Sequence, residues 1–162
     1  MSDHWLAQLN VGVLKAPLDD PSMAEFASLL DPVNALAESS PGFVWRYTDE
    51  GSNDATAARP FGGDILVNFS VWRDRESLWN FTYRSDHLDL LRRRRTWFTR
   101  MSDMHLAMWW IPAGHIPTLD EARRRLERLR ADGPTAAAFT FTTSFPPPEA
   151  AGAPEPAAPP RH

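Results

Sequence analysis

The chain has 162 residues, 43% of them hydrophobic and 23% charged, which is enough apolar material for the core of one domain. Its 17 basic and 21 acidic residues give a net charge of −4, so no overall positive field favours nucleic acid or an anionic membrane. The absence of cysteine excludes disulfides, thiolate nucleophiles and cysteine-ligated metals. No segment resembles a signal peptide or approaches the roughly 20 apolar residues of a membrane helix. We therefore expect a soluble, cytoplasmic protein.

The first half of the chain alternates between strand and helix patterns. Apolar and polar side chains alternate with the period of two that marks a strand in three segments: residues 5–14, 43–48 and 65–72. Between the first two, Asp20 and Pro21 form a helix start, and an apolar stripe then continues to Leu36. Pro32 interrupts this stripe and is expected to bend or break the helix.

A second helical region and a fourth strand follow. Asp74 can cap a helix that restarts near Ser85 and continues to about Arg100. Residues 104–111 predict the fourth strand, which ends at a proline. Thr118 and a glutamate three residues later form a capping box, which predicts a last helix over residues 119–131.

The carboxyl-terminal end changes in composition. Phe139 and Phe141, with Phe145 as a third candidate, predict a short additional strand. After Phe145, seven of the 15 prolines stand among alanines, a composition that neither continues a helix nor buries much apolar surface. We therefore divide the chain into a folded domain, residues 1–143, and a disordered tail, residues 144–162.

The predicted order β-α-β-β-α-β is that of the ferredoxin-like α+β fold, with an extra carboxyl-terminal helix. Its antiparallel sheet carries helices on one face and leaves the other uncovered. Both faces are apolar in this sequence, so we expect two chains to pair as a homodimer and form a dimeric α+β barrel. The expected interface is one strand face: Leu9, Val11, Val67, Phe69 and Val71.

Polar side chains interrupt the other strand face and are the first candidates for a site. Asn10 on the first strand and Asn68, Ser70 and Trp72 on the third are expected to project into one cavity. Asparagine amides can hold a phenol or carbonyl oxygen and stabilise an oxyanion, while tryptophan supplies a flat wall. The same amides can instead satisfy backbone groups, so spacing alone leaves both interpretations open.

His87 is the second candidate, because Leu90 and Leu91 follow at the helical spacing that turns the imidazole toward a core. An ordinary histidine pKa of about 6.5 suits proton transfer, although a lone histidine on an apolar face is more often structural. His105 and His115 are weaker candidates. No His-x-x-x-His or His-Glu-x-x-His spacing occurs, so the sequence signals no metal site.

The arginine-rich segment from residue 92 to 95 is interpreted as a mainly solvated helix rather than a nucleic-acid strip, because four consecutive side chains point around the whole helix. At most one or two of them can face a common pocket, and Arg94 is the one placed on the same helix face as His87. The chain contains no P-loop, dinucleotide-binding or Gly-x-Ser-x-Gly motif, which disfavours the commonest nucleotide-binding and serine-hydrolase functions.

The strand Asn68-Phe-Ser-Val-Trp72, Asn10 and the segment Tyr83-Arg-Ser-Asp-His87 resemble the antibiotic-biosynthesis monooxygenase group of dimeric α+β barrels. Nearly the whole folded part resembles an uncharacterised bacterial branch of that superfamily. The marks of this branch are Asp31-Pro-Val-Asn34, Pro41-Gly-Phe-Val-Trp45-Arg46, the residue 92–98 run, Trp109-Trp110-Ile-Pro and Ala138-Phe-Thr-Phe141.

The resemblance implies a cofactor-independent, monooxygenase-like enzyme of secondary metabolism that oxidises an aromatic or polycyclic small molecule. It implies that Asn10 and Asn68 bind an oxyanion, and we assign proton transfer to His87. The candidate substrate contacts are Trp72, Ser70, Arg46, Trp110 and Arg94. Because the superfamily also resembles or includes other enzymes, the alternatives are a cyclase or isomerase in the same cavity, a haem-binding enzyme with His87 as axial ligand, and a non-catalytic ligand-binding protein.

Overall fold

A computed structural model describes residues 3–48, 59–84, 93–99 and 104–148 of the chain. Within these ranges, the strands of one antiparallel sheet are β1 (His4–Leu14), β2 (Phe43–Arg46), β3 (Ile65–Trp72), β4 (Phe98–Thr99) and β5 (Leu106–Pro112). The helices are α1 (Ala24–Ser39), α2 (Arg75–Arg84), α3 (Arg94–Trp97) and α4 (Leu119–Asp132).

The central strand of the sheet is β1. It pairs antiparallel with β3 on one side, and Asn10 lies directly opposite Asn68 in this register. On its other side, β1 pairs with β5 over most of its length and with β4 at its end, while β2 pairs with the outer side of β3. The order β2-β3-β1-β5 is the ferredoxin-like arrangement, so the predicted fold class is confirmed.

The first helix tolerates its proline. A 3-10 turn begins after Asp20, whose side chain accepts from the Ser22 backbone N–H at 2.9 Å, and α1 then runs uninterrupted through Pro32. Of the two expected effects of Pro32, a bend or a break, the break is therefore wrong. Pro32 and Ser28 both lie on the exposed side of α1, where water can satisfy the Ser28 carbonyl that proline deprives of its helical donor.

The second helical region ends earlier than predicted. Residues 85–92 lie outside the described part of the chain, and α3 stops at Trp97 instead of continuing to about Arg100. The two residues after it form β4, opposite Val13 and Leu14, and the Trp97 carbonyl accepts from the Lys15 backbone N–H at 2.9 Å. Pairing with the free edge of β1 therefore replaces the last helical turn.

Helices cover both faces of the sheet. We call the cavity face the one that carries Leu6, Gln8 and Asn10 of β1 and Asn68, Ser70 and Trp72 of β3, and it packs against Ala37 of α1 and Leu78 of α2. The opposite face is the one expected to form a dimer interface. It packs against three buried residues of α4: Ala122, Leu126 and Leu129.

The helix α4 forms where its caps and spacing predict. The Thr118 hydroxyl accepts from the Glu121 backbone N–H at 3.1 Å, and Gly133 ends the helix with φ of 75°, a conformation that favours glycine. Its buried residues recur at i, i+4 and i+7, so one apolar stripe faces the sheet.

This position of α4 changes the expected interface. Leu9, Val11, Val67, Phe69 and Val71 are all at most 4% exposed in the single chain, because they form one core with α4. They are therefore core residues and not a free surface for a second copy. Homodimerisation itself stays a prediction, and it needs either another surface or displacement of α4.

The segment after α4 passes around the edge of the sheet. Phe139 exchanges two backbone hydrogen bonds of 2.9 Å with Met108 of β5, so the short added strand is a single bridge. Phe145 lies beyond the expected domain boundary, yet its carbonyl accepts from the Trp110 indole at 2.8 Å and its ring contacts Phe139. No helix in the described ranges has the length and apolarity needed to cross a bilayer.

Candidate functional site

A cavity of about 280 Å³ lies between the cavity face and the helices α1 and α2. This volume is close to the lower end of the ~300–1,000 Å³ that small-molecule pockets commonly have. Its helical wall is largely apolar: Phe26, Leu29, Leu30 and Val33 of α1, Leu78 and Phe81 of α2, and Trp97 and Phe98 beside them. The cavity therefore suits a small, mainly apolar ligand.

The sheet supplies a polar floor to this cavity. Strand register places Arg46 of β2, Ser70 of β3 and Gln8 of β1 in one cross-strand row, and Asn68 and Asn10 in the next. Directly opposed residues on one face have Cβ atoms about 4.5–5.5 Å apart, so the five side chains form one continuous polar patch. All five line the cavity.

A hydrogen-bond network orders the floor. The Gln8 side-chain amide donates to Asn68 Oδ1 at 2.8 Å and to Ser70 Oγ at 2.7 Å, and the Trp72 indole donates to the same Ser70 oxygen at 2.9 Å. Because the Asn68 oxygen faces Gln8, the Asn68 Nδ2 group is left as a donor on a residue that lines the cavity. Ser70 already accepts two bonds, so its remaining capacity is its own O–H donor.

Asn10 completes the pair of amides. It is half-buried and lies across the strand pair from Asn68. Within the described part of the chain, no hydrogen-bond partner is recorded for its side chain. The two asparagines are thus neighbours on one cavity wall, as their shared pleat face predicted, and their amides are not engaged with backbone groups in the described ranges.

Trp72 lines the cavity, but little of its indole ring is accessible to a ligand. Only 1% of the residue is exposed, because its ring stacks on Phe81 at 5.1 Å and meets the edge of Phe43 at 5.5 Å. Its indole N–H is used by Ser70. In this structure Trp72 supports the polar floor more than it offers an open stacking surface for a ligand.

Arg46 brings a positive charge to the cavity. Its side chain is only 9% exposed, and its Nε donates to Glu38 of α1 at 2.8 Å. The Glu38 side chain is 51% exposed, so its charge is largely solvated. None of the described lining residues is an aspartate or a glutamate. The permanent charge that these residues place at the cavity is therefore the positive charge of Arg46.

The remaining candidates are placed differently. Trp110 lies on the cavity face of β5, but it lines a separate groove and not this cavity. The backbone of Arg94 is part of α3, whereas its side chain and the whole of His87 lie outside the described residues. The proton-transfer, haem-ligand and Arg94 assignments therefore stay predictions. His105, a weaker candidate, contributes to the cavity wall.

Sequence reasoning missed Gln8 as a site residue. Its signal was available, because Gln8 stands two residues before Asn10 and so shares the same strand face. The helical side adds further polar groups that were not named as site residues, namely Asn34 of α1 and Thr82 and Tyr83 of α2. Asn34 and Tyr83 do stand in the segments that carry the family resemblance.

The groove beside Trp110 contains an ordered carboxylate. Glu121 accepts from the Trp109 indole at 3.0 Å and lies 2.9 Å from His115 Nε2. Burial raises the pKa of Glu121, but its hydrogen bonds with His115 and Trp109, together with the charges of His115 and Arg125, outweigh burial and hold that pKa below its ordinary value. Arg124 and Arg128 at this groove pair with neighbouring aspartates. Glu121 therefore joins α4 to β5 as a charged structural contact.

Solved structures share part of this architecture. A protein of unknown function from Nitrosomonas europaea, NE2512, is 15% identical, with 72% of this chain and 97% of that chain covered and a TM-score of 0.46. The cofactor-independent oxygenase SnoaB from Streptomyces nogalater is 20% identical, with 73% and 98% covered and a TM-score of 0.45. Rv0793 from Mycobacterium tuberculosis is 17% identical, with 70% and 99% covered and a TM-score of 0.45.

At these low identities and TM-scores, the three likenesses carry no argument about activity. No curated protein matches the chain significantly. A family model, by contrast, matches residues 5–155 and so spans both the sheet and α4. The chain belongs to the family described as Domain of unknown function (DUF3291), an uncharacterised family, as the sequence resemblance implied.

Proposed function

We propose that the cavity binds a small aromatic phenol or enol and stabilises its oxyanion with the amide donors of Asn10 and Asn68. The ordered floor supports this most directly: Gln8 occupies the Asn68 oxygen, so the donor end of that amide is left for a ligand. A positioned donor stabilises a developing oxyanion by roughly 3–4 kcal/mol. Asn68 is an exposed residue of β3, so the bond is strengthened to the extent that a bound ring, packed against the apolar helical wall, covers this amide from water.

We further propose that the stabilised anion reacts with dioxygen without flavin or metal. Deprotonation of a ring methylene leaves a carbanion, whose electron pair forms a bond to dioxygen and, with a proton, gives a hydroperoxide. Loss of water from this hydroperoxide breaks the O–O bond and leaves a carbonyl. One oxygen atom enters the product and the other leaves as water, so no external reductant is needed.

Binding and oxyanion stabilisation are tested first with 4-nitrophenol, because its phenolate absorbs at a longer wavelength than the phenol. In the cavity of the wild-type chain, we expect the pKa of this probe to fall by roughly one unit or more, which corresponds to about 1.4 kcal/mol of preference for the anion. Asn68→Ala should remove most of that shift. Asn80→Ala is the matched control, because Asn80 is exposed on α2 and does not line the cavity.

Oxygen consumption with a hydroxylated anthrone then tests the reaction. We expect Asn68→Ala to lower turnover around a hundredfold or more, since one hydrogen-bond donor to the oxyanion is lost. Unchanged turnover in both Asn10→Ala and Asn68→Ala would refute the oxyanion role. A product formed without oxygen consumption would instead favour a cyclase or isomerase, and an unaltered bound ligand would favour a binding protein.

A further inference from the structure

We infer that Asn34 of α1 selects ligands that carry a second hydrogen-bonding group, on the ring edge opposite the oxygen bound by the floor amides. This inference rests on the proposed function, because Asn10 and Asn68 orient the ring. It goes further by naming a specificity-determining residue and a substrate class: aromatic molecules with oxygen substituents on opposite edges. The observation that carries it is the side-chain amide of Asn34, which lines the cavity and has no recorded partner within the described ranges.

Asn34 is the polar exception on the cavity side of α1. The other α1 residues that line the cavity are apolar: Phe26, Leu29, Leu30, Val33 and Ala37. Leu30 lies four residues before Asn34 and Ala37 three residues after it, so the three share one face of the helix. An amide in an apolar wall costs free energy unless water or a ligand bonds to it. Packing alone therefore favours an aliphatic side chain at this half-buried position.

Other polar side chains of α1 have partners in the protein. Ser28 and Ser39 each donate to the backbone carbonyl three residues earlier, at 2.7 and 3.0 Å. Glu38, one turn after Asn34, accepts from Arg46 Nε at 2.8 Å. For the Asn34 amide, no hydrogen bond is recorded with any residue that the structure describes, so its N–H donors and its carbonyl acceptor are left for a ligand.

The two walls of the cavity set the orientation of the ligand. Its oxyanion faces the sheet, where Asn10 and Asn68 lie directly opposite each other. The far edge of the ring then faces the helices, and Asn34 lines the cavity on that side. The ion pair between Glu38 and Arg46 holds this half of α1 over the sheet. Because an amide both donates and accepts, Asn34 can bond to a hydroxyl or a carbonyl on that edge.

The test compares three ligands by calorimetry under argon, which prevents their oxidation. They are 1-naphthol, 1,5-dihydroxynaphthalene with its hydroxyls on opposite edges, and 1,8-dihydroxynaphthalene with both on one edge. The two equivalent hydroxyls of the 1,5 diol by themselves give about twofold tighter binding than 1-naphthol. For the wild-type chain, we expect about fivefold or more, because the hydrogen bond to Asn34 is added. Asn34→Leu and Asn34→Ala should each reduce this preference to about twofold.

The matched control is Asn80→Leu, because Asn80 is exposed on α2 and does not line the cavity. It should keep the preference for the 1,5 diol. Asn34→Leu should weaken binding of the 1,5 diol more than binding of the 1,8 diol, whose second hydroxyl faces the floor. Its thermal midpoint should be unchanged or higher than that of the wild type, since an unpaired amide is removed from an apolar wall.

A wild-type preference near the statistical value, or a preference that survives in a folded Asn34→Leu or Asn34→Ala chain, would overturn this role of Asn34. Equal losses of affinity for the 1,5 and 1,8 diols would also overturn it, because Asn34 would then support the cavity in general. If the pKa of 4-nitrophenol still falls in the wild-type chain, the oxyanion function survives and only the selection of a second group is refuted. Failure of the proposed function is seen separately, as an unshifted pKa of that probe.

Discussion

Replacement of Gln8 gives the most direct test of the ordered floor, since this side chain is 5% exposed and donates to both Asn68 and Ser70. In Gln8→Leu, two hydrogen bonds are lost. Each contributes about 0.5–1.5 kcal/mol net, so we expect the free energy of unfolding to fall by about 1–3 kcal/mol. At about 2–4 °C per kcal/mol for a domain of this size, the thermal midpoint should fall by about 2–12 °C.

Gln8→Glu separates the orientation of the Asn68 amide from the packing of the Gln8 side chain, because it keeps the shape of that side chain and removes its donors. A carboxylate at this position can only accept, so the Asn68 amide must turn its N–H groups toward it and present its oxygen to the cavity. The Ser70 hydroxyl should likewise donate to the new carboxylate. The site then loses oxyanion donors while every buried polar group keeps a partner.

The assay is the pH titration of 4-nitrophenol in the presence of each variant, with circular dichroism as a check on folding. We expect Gln8→Glu to move the pKa of the bound probe upward relative to the wild type, beyond the change caused by Gln8→Leu, since it also adds a negative charge. A folded Gln8→Glu chain that lowers the pKa of the probe as much as the wild type does would refute the assignment of Gln8 as the residue that positions Asn68.

Three further outcomes follow from the structure. Leu126→Ala, at a fully buried position between α4 and the sheet, should reduce the free energy of unfolding by about 2–5 kcal/mol, whereas the exposed Arg124→Ala should change the denaturation midpoint little. Folding lowers the pKa of Glu121, so the ionised carboxylate stabilises the folded chain above the ordinary value of 4.5, and this stabilisation is lost as the pH falls through the lowered pKa. The difference in thermal midpoint between the wild type and Glu121→Gln should therefore narrow below pH 4.5. A difference that stays constant with pH would contradict this. Truncation after Phe145 should leave the thermal midpoint unchanged, but truncation after Ala137 should lower it, because the two Phe139–Met108 backbone bonds are removed; equal midpoints would contradict a structural role for Phe139.

Local patterns in the sequence determined which segments form strands and which side chains share a face. Alternation with a period of two placed Asn10, Asn68 and Ser70 on one wall, and the structure has them there. The capping box at Thr118 fixed the start of α4. These predictions succeed because side-chain direction in a strand and capping at a helix end depend on residues close together in the chain.

Tertiary structure alone decided the partners of those side chains. The role of Gln8 requires the register that sets it opposite Ser70, and the burial of Trp72 requires Phe81 from α2 above it. Both are contacts between distant parts of the chain, and no local pattern specifies them. The short strand β4 has the same origin, because the open edge of β1 determines that Phe98 and Thr99 extend instead of continuing a helix.

The covering of the opposite face by α4 shows most clearly which features the sequence determines and which only the tertiary structure decides. The sequence determined that Leu9, Val67 and Phe69 form an apolar strand face that must be removed from water, and it separately predicted α4 with its own apolar stripe. The sequence could not determine that α4 covers this strand face, because the hydrophobic effect is proportional to buried area and non-directional. A second copy of the chain and the chain's own helix satisfy such a face equally well, and only the folded structure, in which Leu126 and Leu129 pack on these strands, decided between them.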